Sequence, residues 1–139
     1  MLIRHPNAIR PWQHVLEPLL GYLVLAEALY KNPTQYAESW NFGPNDADAK
    51  SVQYIVERMA SHWGSPVQWA CDDKENPHEA HYLKLDCSKA KARLNWQPQW
   101  SLDYALYNIV EWQQNYQQGA DMHAVSLKQI AARMNHAII

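Results

Sequence analysis

From Val15 onward, apolar residues fall at three- and four-residue steps: Leu16, Leu19, Leu20, Leu23 and Ala26. That spacing lays them along one face of a helix, which Asn32-Pro33 ends. Pro18 falls in its first turn, where a missing N–H costs little. A second helix is predicted over about Ala49 to Trp63, with Val52, Ile55, Val56, Met59 and Ala60 on one face and Gly64 as its stop. Asp86 caps a short third helix through Leu94, and Asn95 stands where a left-handed residue would end it, ahead of Pro98. Ser101 opens a longer helix with the stripe Leu102, Ala105, Leu106, Ile109 and Val110, running to Gly119. The last helix, about Ala124 to Met134, carries Leu127, Ile130, Ala131 and Met134.

Strand signals are shorter. Leu2 to Arg4 is extended before Pro6 and Pro11, and Glu38 to Phe42 reads as a strand closed by Gly43-Pro44-Asn45. Val67 to Cys71 and His81 to Leu85 read as two more, separated by the polar loop Asp72 to Pro77. Helix outweighs strand, so the fold class is α+β: a helix-rich small domain with one or two small sheets.

At 139 residues the chain is the size of one domain, and 47% hydrophobic against 19% charged residues supports a packed core. A net charge of -2 without any block of like charge argues against nucleic acid or an anionic membrane as partner. The apolar stretch Leu19 to Leu29 is far too short to span a bilayer. Arg4, Pro6, Asn7 and Arg10 occupy the place of a signal peptide's apolar core, so a cytoplasmic location is expected. Cys71 and Cys87 alone support no disulfide framework. The four glycines, Gly21, Gly43, Gly64 and Gly119, are too far apart to build a dinucleotide fingerprint or a P-loop.

Few segments carry chemistry. In His78-Glu79-Ala80-His81 the histidines are three apart beside Pro77, whereas a helical zinc pair needs four. The seven Trp and eight Tyr suit either stacking on a base or sugar, or a Trp-rich core. Arg4 to Val15 differs, because it gathers two Arg, two His, an Asn and a Gln in a proline-stiffened loop feeding a helix start. Guanidinium forks beside a helix N-terminus suit an anionic pyrophosphate; a solvated loop with Arg10 capping something local fits the same residues.

The run from Arg4 to Leu19, with Arg10-Pro11-Trp12-Gln13-His14-Val15 at its centre, resembles the opening of the carboxy-terminal substrate domain of CDP-glucose 4,6-dehydratases. These are extended short-chain dehydrogenase/reductases acting on nucleotide sugars. Trp40-Asn41-Phe42-Gly43-Pro44, Pro77-His78-Glu79-Ala80, and Leu83 to Ala90 with Leu94-Asn95-Trp96-Gln97-Pro98 are similar in order and spacing. The endings Ile109-Val110-Glu111-Trp112 and Gly119-Ala120-Asp121-Met122 are similar too, so the resemblance covers nearly the whole chain. The Asp-x-x-Lys-Ala and Leu-x-Trp-x-Pro patterns mark only the superfamily. The Arg-Pro-Trp-Gln-His-Val and Pro-His-Glu-Ala runs point to the CDP-glucose branch. Asn95 stands where the family usually has Gly, and related dehydratases carry arginines where this chain has Ala80 and His81.

The resemblance implies a single nucleotide-sugar-binding domain over residues 1–139, with CDP or CDP-glucose as ligand. Its contacts would be Arg10, with Asn7, Gln13 and His14 in the same loop, then Asn41 and the His78-Glu79 pair. It also implies an NAD-binding Rossmann half with a Tyr-x-x-x-Lys pair. No Tyr in this chain has Lys four residues on (Tyr54 has Arg58), so no cofactor is expected in this chain and no catalytic residue is assigned. The expected function is the substrate-binding portion of an enzyme that converts CDP-glucose to CDP-4-keto-6-deoxyglucose and water, inactive alone. A non-catalytic CDP-sugar-binding module, a subunit completing a separate Rossmann chain, and a helical interaction protein remain open. A severed half would also expose an apolar face near Trp12, Leu16 and Tyr22 and bury it by self-association, by rearranging its first helix, or in crystal contacts.

Overall fold

The structure, a computed structural model, describes residues 1–66, 68–72 and 80–135. Strands β1 (Leu2–Ile3) and β2 (Ile9–Pro11) precede helix α1 (Leu16–Lys31) and the one-turn α2 (Pro33–Tyr36). A 3₁₀ turn over Asp46–Asp48 leads into β3 (Ala49–Ser51) and α3 (Val52–Trp63). Then come β4 (Ala70–Cys71), α4 (Ser88–Leu94), α5 (Leu102–Gln117) and α6 (Met122–Asn135). Among the described residues the strands form two small pairs, in line with the one or two small sheets expected: β1 runs parallel to β4, and β2 antiparallel to β3.

Local chemistry sets most boundaries. Ser51 Oγ accepts the Tyr54 N–H and Ser101 Oγ the Tyr104 N–H, so each hydroxyl satisfies a donor that its helix leaves unpaired. Asp86 Oδ1 accepts the Ser88 N–H at the start of α4. Asn95 ends α4 with φ 50°, the left-handed geometry its position predicts, and Gly64 ends α3 with φ 81°.

Two apolar clusters form the core. Phe42, Cys87, Ala90 and Trp96 make one, with Val24 and Leu25 of α1 against it. Ile55, Leu102 and Leu106 make the other and seat Trp12 and Met59. A Cβ on Gly21 would lie 2.4 Å from the Phe42 ring, so the missing side chain is what lets that ring sit against α1.

Four expectations change. Glu38 to Phe42 forms no strand. Its groups are satisfied otherwise: Trp40 Nε1 donates to the Tyr36 carbonyl, and Gln13 Nε2 donates to the Phe42 carbonyl. Ala49–Ser51 is strand rather than helix, because it pairs with β2, so α3 begins only at Val52. Of His81 to Leu85 only Tyr82 pairs, in a parallel bridge to Ile9. Of the strand expected over Val67 to Cys71, Ala70–Cys71 forms β4, while Val67 and all of the expected loop after Asp72 lie outside the described residues.

The fourth change is in α6. Leu127, Ile130 and Met134 are exposed, while Gln129 and Arg133 are buried. Arg133 turns inward to meet Glu17 of α1, and its Nε and Nη2 each donate to the carboxylate at 2.8 Å. The Gln99 and Trp100 N–H groups donate to the same carboxylate at 3.1 and 2.9 Å. Gln129 Nε2 donates to the Asn108 carbonyl of α5. Polar partners therefore set the inward face of this helix.

A second ionic joint, half-exposed, ties α3 to α5. Arg58 grips the Asp103 carboxylate with two nitrogens, and His62 Nε2 lies 2.9 Å from it. The Arg58 hydrogen bond above all, then that of His62, holds Asp103 at about 2 against an ordinary 3.8, although desolvation pulls upward. A lowered folded-state pKa contributes stability above pH 3.8 and loses it as pH falls toward 2. Solvent screens this joint, so its contribution is small beside that of the buried pair. Thermal melts of wild type and Asp103→Asn should differ at pH 7 and converge only as pH falls from 3.8 toward 2. A difference that persists undiminished at the acid end would show that the ionised carboxylate contributes nothing.

Candidate functional site

The segment singled out in the sequence becomes the middle of a small sheet. β2 is flanked by β3 in the register Ile9↔Ser51, Arg10↔Lys50 and Pro11↔Ala49. On its other side the Ile9 N–H donates to the His81 carbonyl, and the Leu83 N–H to the Ile9 carbonyl. Residues directly opposite in an antiparallel pair share a face, so Arg10 and Lys50 are cross-strand neighbours. Arg10 Nη1 donates to its neighbour's Ile9 carbonyl at 2.8 Å, and Lys50 Nζ stands 5.7 Å from the Tyr54 ring centre.

Gln13 and His14 are built into the fold. Gln13 Nε2 donates to the Phe42 carbonyl at 2.8 Å, tying the β2 segment to the Trp40–Pro44 run. His14 Nδ1 accepts the Leu16 N–H at 3.2 Å, and its carbonyl accepts the Glu17 N–H. The first turn of α1 is thus capped by His14, with the buried Glu17 carboxylate beside it. Burial pushes the His14 imidazole down in pKa, against the opposing pull of Glu17, so the ring is neutral at pH 7. Asn7 is exposed in the turn before β2. Asn41 is exposed too, its Nδ2 donating to the Asp86 carbonyl at 3.2 Å. His78 and Glu79 lie outside the described residues.

Beside Asn41 opens a polar cleft of about 380 Å³ lined by Pro44, Asp46, Lys84, Asp86, Ser88 and Lys91, among others. Lys84 Nζ sits 3.0 Å from Asp46 and 5.4 Å from the Tyr82 ring centre, and hydrogen bonds to Tyr82 and Asp46 push its pKa up. Lys91 Nζ donates to Asn45 Oδ1. Burial pushes the Cys87 thiol up in pKa, so it is a protonated core group that takes the Gly43 N–H at 3.0 Å. Sequence reasoning did not single out Lys50, Lys84 or Lys91, because isolated lysines in alternating polar positions look like ordinary surface. Only the register of β2 with β3 reveals Lys50 as the neighbour of Arg10.

A larger, apolar cleft of about 420 Å³ lies away from these cations, between the start of α1 and helices α3, α5 and α6. His14 reaches its wall, but Trp63, Ile109, Trp112 and Ile130 give it its character. It contains no charged side chain and does not suit a diphosphate.

NAD does not fit the residues present. Gly21 lies inside α1, Gly43 packs against Leu85 and Cys87, and Gly64 and Gly119 stand just beyond helix ends. None lies in a strand-to-helix turn where backbone could close on a pyrophosphate. Among the described residues no group of three His, Cys, Asp or Glu side chains gathers to hold a metal. No described helix is long and apolar enough to cross a membrane.

No family model matches the chain. Over 135 residues it is 50% identical to CDP-glucose 4,6-dehydratase of Salmonella typhimurium, covering 97% of this chain and 38% of that protein. Over 115 residues it is 30% identical to dTDP-glucose 4,6-dehydratase of Haemophilus influenzae, covering 75% of this chain and 32% of that protein. The chain thus spans a third to two fifths of the length of these relatives.

Proposed function

The chain is homologous to a part of CDP-glucose 4,6-dehydratase, and from that premise we propose that it binds the diphosphate and nucleotide of CDP-glucose. In this reading it is the substrate-binding portion of such a dehydratase, and the hydride chemistry belongs to residues outside this chain. The observation that carries it is the cross-strand pair Arg10↔Lys50, which sets a second cation opposite the arginine of the run that resembles the family most specifically. Two cationic side chains on neighbouring strands suit the two phosphates of a diphosphate. Asn41 and the nearby polar cleft supply amide and ammonium groups for the rest of the nucleotide. Gln13 and His14 act indirectly, by locking the β2 segment to Phe42 and to the start of α1.

Calorimetry with CDP tests this reading. Arg10→Ala should weaken binding by about 1.5–3 kcal/mol, the scale of a charge-assisted hydrogen bond. Glucose without the nucleotide should bind too weakly to detect. Equal CDP affinity in wild type and Arg10→Ala would return Arg10 to a purely structural role.

A further inference from the structure

The apolar cleft between α1, α3, α5 and α6 has walls held apart by polar ties. Trp112 Nε1 donates to Ser126 Oγ at 3.1 Å, which ties its ring to α6 while it lies parallel to that of Tyr116. Gln114 Nε2 donates to the Trp63 carbonyl at 3.3 Å and fixes the end of α3 against α5. Gln129 Nε2 is spent on the Asn108 carbonyl, and Arg133, one turn on, is spent on Glu17. With these spacings set by hydrogen bonds, the cleft does not close by sliding its helices together.

Two polar groups in its wall are left over. His14 Nδ1 accepts the Leu16 N–H, so the proton of the neutral ring sits on Nε2, and no described residue accepts from it. That ring is only 5% exposed and stands in the cleft wall, so its donor opens on the cleft rather than on bulk water. The Trp100 ring meets it edge to face, centroids 5.0 Å apart, and holds its orientation. Gln129 is 6% exposed in the same wall, and its Oε1 has no partner among the described residues. A buried donor without an acceptor is costly, and a water beside it gives up most of its own hydrogen bonds to the apolar walls.

We propose that this cleft binds an uncharged, planar aromatic molecule of one or two rings, anchored by a polar atom that accepts a hydrogen bond from His14 Nε2. Its volume of about 420 Å³ falls in the range of small-molecule sites, which pair apolar walls with a few placed polar groups. Trp63 and Trp112 offer flat faces, and the Met59 thioether suits an aromatic edge. A charged ligand is disfavoured, because no side chain of the wall would pair with it. A phenolic hydroxyl fits best, since it can accept from His14 and donate to Gln129.

The site stands apart from the nucleotide reading, since Arg10, Lys50 and Asn41 do not line the cleft. Nor is it the apolar face expected near Trp12, Leu16 and Tyr22. Trp12 Nε1 donates to the Lys50 carbonyl and its ring packs on the Ile55 cluster, Tyr22 is exposed, and of the three Leu16 alone reaches the cleft.

Titration of the nitrogen-15-labelled chain with 2-naphthol, read on the indole N–H resonances, tests the proposal. Those of Trp63 and Trp112 should shift saturably, and that of Trp40, under Lys89 and Arg93, should stay in place. Naphthalene, the same rings without the hydroxyl, should bind about fivefold more weakly, the scale of one neutral hydrogen bond. His14→Phe keeps a ring and removes the donor, so it should erase that preference. Ile130→Trp, at a cleft position 39% exposed and so tolerant of bulk, should weaken both probes at least about tenfold by filling the space. Added CDP should displace neither probe. The proposal is overturned if the two indole resonances do not shift saturably, or if naphthalene binds as well as 2-naphthol. Probe binding indifferent to Ile130→Trp would overturn it too, as would competition by CDP, which would reassign the cleft to the nucleotide.

Discussion

Arg133→Met is expected to destabilise the fold by about 3–5 kcal/mol, the usual consequence of leaving one member of a buried ion pair alone. The Glu17 carboxylate is 1% exposed and takes four hydrogen bonds, two of them from Arg133. Without the guanidinium, two backbone N–H groups must stabilise a full charge that water cannot reach. Set against the roughly 5–15 kcal/mol that folds a typical domain, such a loss removes a third or more of the total. Glu17→Gln should cost a similar amount for the opposite reason, since it strands the cation. The double variant Glu17→Gln/Arg133→Met buries no net charge, and the oxygen of the introduced amide can still accept a backbone N–H. It should therefore lie well above the sum of the single losses. Urea unfolding of the four proteins gives the coupling energy directly. Single variants that each lose less than about 1 kcal/mol would mean the pair is a passive contact.

That pair also shows where the sequence stops being readable. Caps and helix stops depend on neighbours a few residues away, and Gly64, Asn95 and Ser101 all behave as their local chemistry predicts. The inward face of α6 depends on Glu17, 116 residues earlier in the chain. Apolar periodicity in Leu127, Ile130 and Met134 pointed the helix the other way, because periodicity records which face is greasy and not which face finds a partner. The same limit explains Trp40 to Phe42. Alternating aromatic residues suggested a strand, yet a strand needs a neighbouring ladder and none is supplied there. The Phe42 ring instead fills the space left by Gly21, and Trp40 lies under Lys89 and Arg93. At the candidate site, Arg10 and Asn41 were visible through motif resemblance. Lys50 became visible only once the strand register was known, since its significance is entirely that it faces Arg10.

The remaining large effect concerns turnover. Supplied with CDP-glucose and NAD, this chain alone should form no 4-keto product. A dehydration that proceeds by transient oxidation needs a bound hydride acceptor and a proton acceptor whose pKa is lowered by a neighbouring cation. Tyr54 comes nearest to the second requirement in sequence, with Arg58 where a lysine would stand. In the structure Arg58 is committed to Asp103, which it grips with two nitrogens, so its charge is already neutralised. The first requirement fails on the glycines, which pack against Phe42 and Leu85 or end helices. Alkaline absorbance of a 4-keto sugar nucleotide provides the assay, read against buffer and heat-treated protein. Turnover above both controls would overturn the assignment of chemistry to residues outside this chain. If activity appears only when a separately expressed Rossmann portion is added, the chain is a completing subunit. In that case Arg10→Ala should raise KM for CDP-glucose while leaving kcat nearly unchanged, because it removes binding made equally in ground and transition states.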